Sequence, residues 1–132
     1  ITPLPANHDQ NASPFIFLIE ELKTKKHMLY AHDSGFFFED VFDYLYHNVK
    51  HLDLVSLDCT GAIKSGWKDH HMSIDVDKEV IERLKKDGIV DDKTKIVLNH
   101  FSHNGGANYD DLVKLEKELG VIISYDGLEV EF

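Results

Sequence analysis

Several apolar stretches of this chain end abruptly in histidine or aspartate, and this pattern most constrains its fold. Residues 95–98 are rich in β-branched side chains, as in a buried strand, and His100 and His103 follow at once. Two more predicted strands end in the same way, residues 28–31 before Asp33 and residues 1–6 before His8. Open α/β sheets bind ligands beyond the carboxyl ends of their strands. The pattern therefore predicts an α/β protein whose strand ends converge on one site.

The periodicity of apolar residues predicts ten elements in the order strand, strand, strand, helix, strand, helix, strand, helix, strand, strand. The strands are predicted at residues 1–6, 14–20, 28–31, 52–57, 95–98, 121–124 and 128–132, and the helices at residues 37–50, 74–87 and 108–120. Pro3 and Pro5 confine the first strand to an edge or end position. We therefore expect a single α/β domain over residues 1–132, with helices flanking a mixed sheet.

Charge and cysteine content exclude some classes of function. With 24 acidic and 14 basic residues, the net charge of −10 argues against non-specific binding to nucleic acid or to an anionic membrane. Cys59 is the only cysteine, so the chain cannot form an internal disulfide. The lack of a disulfide framework favours a reducing, cytoplasmic setting. No run approaches a membrane span, so we expect no membrane partner.

Three of the residues at the predicted strand ends are candidate metal ligands: His8, Asp33 and His100. Imidazole and carboxylate groups suit zinc, manganese or iron, and a carboxylate such as Asp33 can bridge two cations. The alternative is that both histidines are ordinary loop residues and that Asp33 caps a helix or forms a turn. Spacing alone does not decide between the two interpretations.

A second group of candidates would serve catalysis. His71 precedes a predicted helix start, where it could contact a phosphate or protonate a leaving oxygen. Asp58 ends a predicted strand and could orient a metal-bound imidazole, and His103 could support the site or contact the substrate. The alternatives are an exposed histidine beside an N-cap, a turn-forming aspartate and an exposed loop histidine.

Five segments in this order resemble the metallo-β-lactamase superfamily, and within it the phosphodiesterase branch related to tRNA 3′-processing nucleases. They are residues 2–8, 30–35, 57–61, 71–73 and 99–103. The resemblance implies that His8, Asp33 and His100 bind metal, with Asp33 bridging two divalent ions, zinc or manganese. It also implies that His71 assists the leaving group in phosphodiester hydrolysis by a metal-activated water, on a small phosphodiester or a nucleic-acid end.

The superfamily's H-x-H-x-D-H motif, which supplies most of the metal ligands, is absent from the chain. We therefore expect residues 1–132 to be the carboxyl-terminal half of a four-layer αβ/βα sandwich. Alone, this half should be inactive, with a partial or empty metal site. It should also pair through its uncovered sheet face, for example as a homodimer.

A non-catalytic cation-binding or regulatory module is the competing hypothesis. Asp33 and Asp58 at strand ends would also suit a receiver-like site for a cation. Such a module alternates strictly between strand and helix, whereas residues 14–31 predict a hairpin without a helix. The order of the elements therefore separates the two hypotheses.

Overall fold

A computed structural model describes residues 1–132 and has one six-stranded sheet, with its strands side by side in chain order. The strands are β1 (Thr2–Pro5), β2 (Phe15–Glu20), β3 (His27–Ala31), β4 (Leu54–Asp58), β5 (Lys95–Asn99) and β6 (Ile122–Ile123). The helices are α1 (Glu39–Asn48), α2 (Ile74–Lys86), α3 (Tyr109–Leu112) and α4 (Glu116–Leu119), and 3₁₀ turns cover Gln10–Ala12, His103–Gly105 and Val113–Leu115.

The sheet is mixed, as the sequence predicts. Strands β1, β2 and β3 form an antiparallel meander, and β3, β4, β5 and β6 run parallel. Each parallel step is bridged by helix, since α1 lies between β3 and β4, α2 between β4 and β5, and α3 and α4 between β5 and β6. Pro3 and Pro5 lie in β1, which is an edge strand, so their missing N–H groups cost no central ladder bonds.

The hydrophobic core lies between one face of the sheet and helices α1 and α2. Leu29, Leu57 and Leu98 come from adjacent strands and are completely buried with Phe42 of α1 and Val80 of α2. The hairpin of β2 and β3 contains no helix, which argues against a receiver-like fold.

The opposite face of the sheet, called the outer face below, is open over its first three strands. Phe17 and Tyr30 are register partners on this face, and they are 37% and 39% exposed, while Phe15 is 50% exposed. Large aromatic side chains on a sheet face normally pack against another layer. The outer face is therefore an exposed apolar surface, whereas α1 and α2 cover the opposite face of the sheet.

The carboxyl-terminal part differs from the sequence prediction. The helix predicted at residues 108–120 is divided into α3, a 3₁₀ turn and α4, and the strand predicted at residues 121–124 shrinks to β6. Residues 128–132 form no strand, because β6 is too short to provide a ladder for them. Leu128, Val130 and Phe132 instead line a cavity over the outer face.

None of the helices has both the length and the hydropathy that a membrane crossing requires.

Candidate functional site

The carboxyl ends of β3, β4 and β5 lie side by side, because Ala31 pairs with Leu57 and Leu57 pairs with Leu98. The residues that follow these pairs therefore emerge at the same edge of the sheet. Asp33 follows β3, Asp58 ends β4 and His100 follows β5. The convergence predicted for these strand ends is confirmed for Asp33 and His100.

Four side chains form the candidate metal cluster: Asp33, Asp58, His71 and His100. One nitrogen or carboxylate oxygen from each lies within 4.8 Å of the others. His100 Nε2 is 3.4 Å from Asp33 Oδ1, and the rings of His71 and His100 stack with centroids 5.6 Å apart. Asp58 is completely buried, whereas the Asp33 side chain is 59% exposed. The cluster is thus anchored inside the protein on one side and open to solvent on the other.

Asp58 connects the two histidines of the cluster. Its Oδ2 accepts a hydrogen bond from His71 Nδ1 at 2.9 Å and lies 3.3 Å from His100 Nδ1. Its Oδ1 accepts from the backbone N–H of Thr60 at 2.9 Å. A carboxylate that holds an imidazole by one nitrogen fixes the ring and its tautomer. The geometry therefore suits Asp58 to the orienting role predicted from its position at a strand end.

Thr60 determines which nitrogen of His100 is available. The Thr60 hydroxyl donates to the backbone carbonyl of His100 at 2.8 Å, so it can only accept from His100 Nδ1, also at 2.8 Å. His100 Nδ1 consequently carries the proton in this network, and the lone pair of Nε2 faces Asp33. The same argument leaves Nε2 of His71 free, since its Nδ1 donates to Asp58.

The loops that carry the cluster are held together by Asn7 and Gly35. Asn7 Nδ2 donates to the carbonyls of Phe36 and Lys68, and the Asn7 carbonyl accepts from Gly35 N at 2.8 Å. A Cβ atom at Gly35 would lie 2.1 Å from the Lys68 carbonyl oxygen, so only glycine fits there. These contacts join the loops after β1 and β3 to the segment before His71.

The backbone is strained where it presents three residues of this region. Asp33, His70 and His100 have φ values of 49°, 66° and 60°, in the left-handed region that costs free energy for any residue with a Cβ. Such conformations persist where surrounding structure imposes them, and they concentrate at functional sites. Three of the six non-glycine residues with positive φ thus lie at this strand edge, and the other three are Ser13, Lys25 and Ala62.

His8 and His103 lie beside the four-residue cluster rather than within it. His8 Nδ1 donates to the His70 carbonyl at 2.9 Å, and the His8 ring is 4.9 Å from that of His71, so its Nε2 remains free next to the cluster. His103 begins the 3₁₀ turn after β5 and lines a cavity that also borders His100. The predicted roles of His8 as a metal ligand and His103 as a supporting residue remain predictions.

His32 belongs to the region but was not predicted as a site residue. Its Nε2 is 2.7 Å from Ser56 Oγ, and its ring lies 5.9 Å from that of His100. Burial, with a smaller contribution from His100, lowers the pKa of His32. The only signal in the sequence was its position directly after β3, beside Asp33.

The donor set fits a divalent metal. Imidazole nitrogens and carboxylate oxygens that approach one another within 4.8 Å are the ligands that zinc and manganese take in proteins. Cys59 contributes nothing to this set, because burial raises the pKa of its thiol far above the usual range. A cation at the cluster would be held by Asp33 and His100, with Asp58 as the group that orients the imidazoles of His71 and His100.

Comparison with known proteins identifies the fold and not the family. No protein-family model matches the chain, and no curated protein matches its sequence. An isothiocyanate hydrolase from Delia radicum gut bacteria superposes with a TM-score of 0.62 over 99% of this chain, at 15% identity. Yeast PDE1 in its unliganded form superposes with a TM-score of 0.56 over 95% of this chain, at 13% identity. The chain spans 52% and 43% of those two proteins, about half of each.

Proposed function

We propose that the full gene product is a metal-dependent hydrolase that acts on phosphodiesters and that this chain supplies the later part of its active site. The observation that carries the proposal is the convergence of Asp33, Asp58, His71 and His100. The fold shared with an isothiocyanate hydrolase supports hydrolysis in general. The phosphodiester specificity depends on the resemblance of five segments to the phosphodiesterase branch of the metallo-β-lactamase superfamily.

Each side chain has a role that its contacts allow. Asp33, exposed at the mouth of the site, would hold one or bridge two cations, with His100 Nε2 beside it. His8 Nε2 would complete the metal ligands from this chain. A bound divalent cation polarises a phosphoryl oxygen and lowers the pKa of a water molecule.

In this proposal, His71 acts on the departing oxygen. Its Nδ1 donates a hydrogen bond to buried Asp58, and its side chain is 24% exposed, so Nε2 can contact the substrate. Asp58 would keep the ring oriented while Nε2 of the doubly protonated imidazole donates a proton to the leaving group. His103, farther along the same edge, would contact the substrate.

The proposed architecture is the carboxyl-terminal half of a four-layer αβ/βα sandwich. The open outer face, with Phe15, Phe17 and Tyr30, would pack against the remaining half within the full gene product. The two structural neighbours, about twice as long as this chain, support that proposal. If residues 1–132 are made alone, we expect pairing with a second copy through this face, which size-exclusion chromatography with light scattering would detect.

The decisive experiment measures metal content and hydrolysis of bis(p-nitrophenyl) phosphate by the full gene product, loaded with manganese or zinc. We expect turnover that falls at least about hundredfold in His100→Ala, since this substitution removes a metal ligand. His47→Ala, an exposed histidine on α1, is the matched control and should retain activity. Absence of turnover with metal bound, or full activity of His100→Ala, would refute the proposal.

A cation-binding regulatory module is the second candidate, favoured only by the acidic pair Asp33 and Asp58 at the strand ends. It predicts metal binding without turnover of any phosphodiester. The same metal analysis combined with the activity assay distinguishes it from the hydrolase.

A further inference from the structure

A tight turn at residues 69–71 leads directly into the metal cluster. The N–H of His71 donates to the Asp69 carbonyl at 2.8 Å, and this hydrogen bond closes a three-residue turn with His70 at its centre. The φ of His70 is 66°, and a γ-turn whose central residue has positive φ is rare and strained. Because His71 is the next residue along the chain, this turn sets where the backbone of His71 enters the cluster.

The same turn holds His8 through a backbone carbonyl. His8 Nδ1 lies 2.9 Å from the carbonyl oxygen of His70. A carbonyl oxygen can only accept, so Nδ1 carries the proton of the neutral His8 ring and Nε2 keeps its lone pair. The His8 ring lies 4.9 Å from the ring of His71, measured between centroids. The turn therefore determines both the tautomer of His8 and its place beside His71.

The backbone of His70, rather than its imidazole, makes this contact. The His70 side chain is exposed, and its ring stands nearly perpendicular to the His8 ring with centroids 5.5 Å apart. The direction of the carbonyl depends on the backbone torsion angles of residue 70, so a residue that resists positive φ would turn the carbonyl away from His8. β-branched residues resist positive φ most strongly, whereas asparagine and glycine adopt it more easily. The side chain at residue 70 should therefore matter through the φ that it permits.

A second contact keeps the loop next to the His8 segment. Asn7, which precedes His8, donates through Nδ2 to the Lys68 carbonyl at 3.3 Å, and the Phe36 N–H donates to the same oxygen at 2.7 Å. The segment that carries His8 is thus joined to the loop at residue 68 as well as at residue 70. Because residue 68 is held independently, a change in the turn at residue 70 should act mainly on the orientation of His8.

We propose that His70 is a positioning residue of the active site, whose left-handed backbone turns its carbonyl towards His8 Nδ1 and so presents His8 Nε2 to a divalent cation beside His71. The inference rests on the proposed function for the role of His8 as a metal ligand. It goes beyond that function, because it makes the loop before α2 responsible for presenting a ligand that comes from the segment after β1. His70 acts through its backbone conformation and not through its ring.

The first test measures the zinc affinity of the full gene product by isothermal titration calorimetry. In His70→Val, which disfavours the left-handed conformation, we expect the affinity to fall about tenfold or more, as when the hydrogen-bonded partner of a metal ligand is lost. His70→Asn and His70→Gly permit the turn and remove the imidazole, so both should recover the affinity that valine loses. Lys25→Val is the matched control, because Lys25 is exposed and has a φ of 64° in the turn between β2 and β3.

A double-mutant cycle separates the positioning of His8 from general damage to the loop. In the His8→Ala background, the carbonyl of residue 70 has no imidazole to hold, so adding His70→Val should change the zinc affinity by less than about twofold. An equally large loss in that background would mean that valine disrupts the whole cluster, and it overturns the proposal. Full affinity of His70→Val, or an equal loss in His70→Asn, also overturns it.

A measurement on the natural sequence covers the case in which His70→Val does not fold. Nitrogen-15 NMR of the full gene product, labelled at histidine, reports which ring nitrogen carries the proton, and His8→Ala assigns the resonances. We expect neutral His8 to be protonated at Nδ1 before zinc is added, and zinc to shift its Nε2 resonance. Protonation at Nε2 overturns the proposal. Zinc binding at His8 Nε2 without hydrolysis of any phosphodiester would support this inference and refute the proposed function.

Discussion

Asp58 at the end of β4 and Asp77 near the start of α2 are equally buried, at 0% and 1% exposure, yet their surroundings are opposite. Asp58 has partners for both oxygens, including His71 and the Thr60 backbone. Neither carboxyl oxygen of Asp77 has a hydrogen-bond partner of ordinary geometry, and the weakly donating Cys59 thiol is the one donor nearby. The protein thus satisfies its buried acid at the strand edge and leaves the one in the helix unsatisfied.

These different surroundings give the two buried acids different chemistry. Burial raises the pKa of Asp77 well above its usual range, with Asp58 adding to the shift and the Cys59 thiol opposing it. An unpartnered buried carboxyl is stable only as the neutral acid. Asp58, with donors on both oxygens, is instead arranged as an acceptor. We therefore associate Asp58 at the strand edge with function, and Asp77 in the helix with a cost in folding stability.

The largest effect should come from removing the acceptor at the strand edge. In Asp58→Asn, an NH₂ group must face one of the donors that Asp58 now satisfies, so the orientation of His71 and His100 is lost. We expect the affinity of the full gene product for manganese or zinc to fall about 10–100-fold, measured by isothermal titration calorimetry. Asp77→Asn is the matched control and should leave metal affinity nearly unchanged. Equal losses in both variants would contradict the distinction between the two acids.

The second prediction tests whether the strand edge depends on its loop packing. Gly35→Ala forces a Cβ into the Lys68 carbonyl, and we expect the free energy of unfolding to fall by about 3 kcal/mol. Gly88→Ala is the control, because Gly88 has a φ of 76° but open space around it, so it should lose only about 1 kcal/mol. Denaturant unfolding measures both, and a smaller loss at Gly35 than at Gly88 would show that the loop contact is dispensable.

The sequence predicts the residues at the strand edge better than it predicts the buried residues below that edge. Apolar runs identify the strands, and the rule that parallel strands bind ligands at their carboxyl ends brings Asp33 and His100 together. The helical pattern of α2 also contained a signal for Asp77, since residue 77 is three and four positions from Val80 and Ile81 on the buried stripe. An aspartate near a helix start is usually an exposed, favourable charge, so the sequence does not predict that Asp77 is buried.

Other features needed the fold itself. The position of Asn7 in the sequence does not show that it joins three loops. The position of Thr60 does not show that it selects the tautomer of His100. These side-chain contacts join residues 29 to 61 positions apart in the chain, and only the packed sheet brings them together. The prediction for residues 128–132 is wrong for the opposite reason. Their alternating pattern is typical of a strand, but no neighbouring strand pairs with them.

The third prediction concerns pH and Asp77. A raised folded-state pKa means that the stability contribution is complete below the pKa of an unfolded aspartate, about 4, and is lost as pH rises towards the folded pKa. In that interval this group should lower the free energy of unfolding by about 1.4 kcal/mol per pH unit. The difference between Asp77→Asn and the natural protein should therefore grow with pH above about 4, as measured by urea unfolding from pH 4 to 8. A difference that is constant across this range would show that Asp77 does not titrate as a buried acid.

The smallest effect should come from Cys59→Ser, which provides Asp77 with a stronger hydrogen-bond donor. Cys59 is completely buried next to Asp77, and a hydroxyl that donates to the carboxylate should stabilise its charged form and reduce the pH-dependent loss. We expect a gain of about 0.5–1 kcal/mol at pH 8 relative to Cys59→Ala, which removes the donor altogether. The comparison at pH 4, where Asp77 is neutral in both variants, is the control. If serine and alanine behave alike at both pH values, the Asp77 carboxyl is not within reach of residue 59, and its burial must be compensated elsewhere.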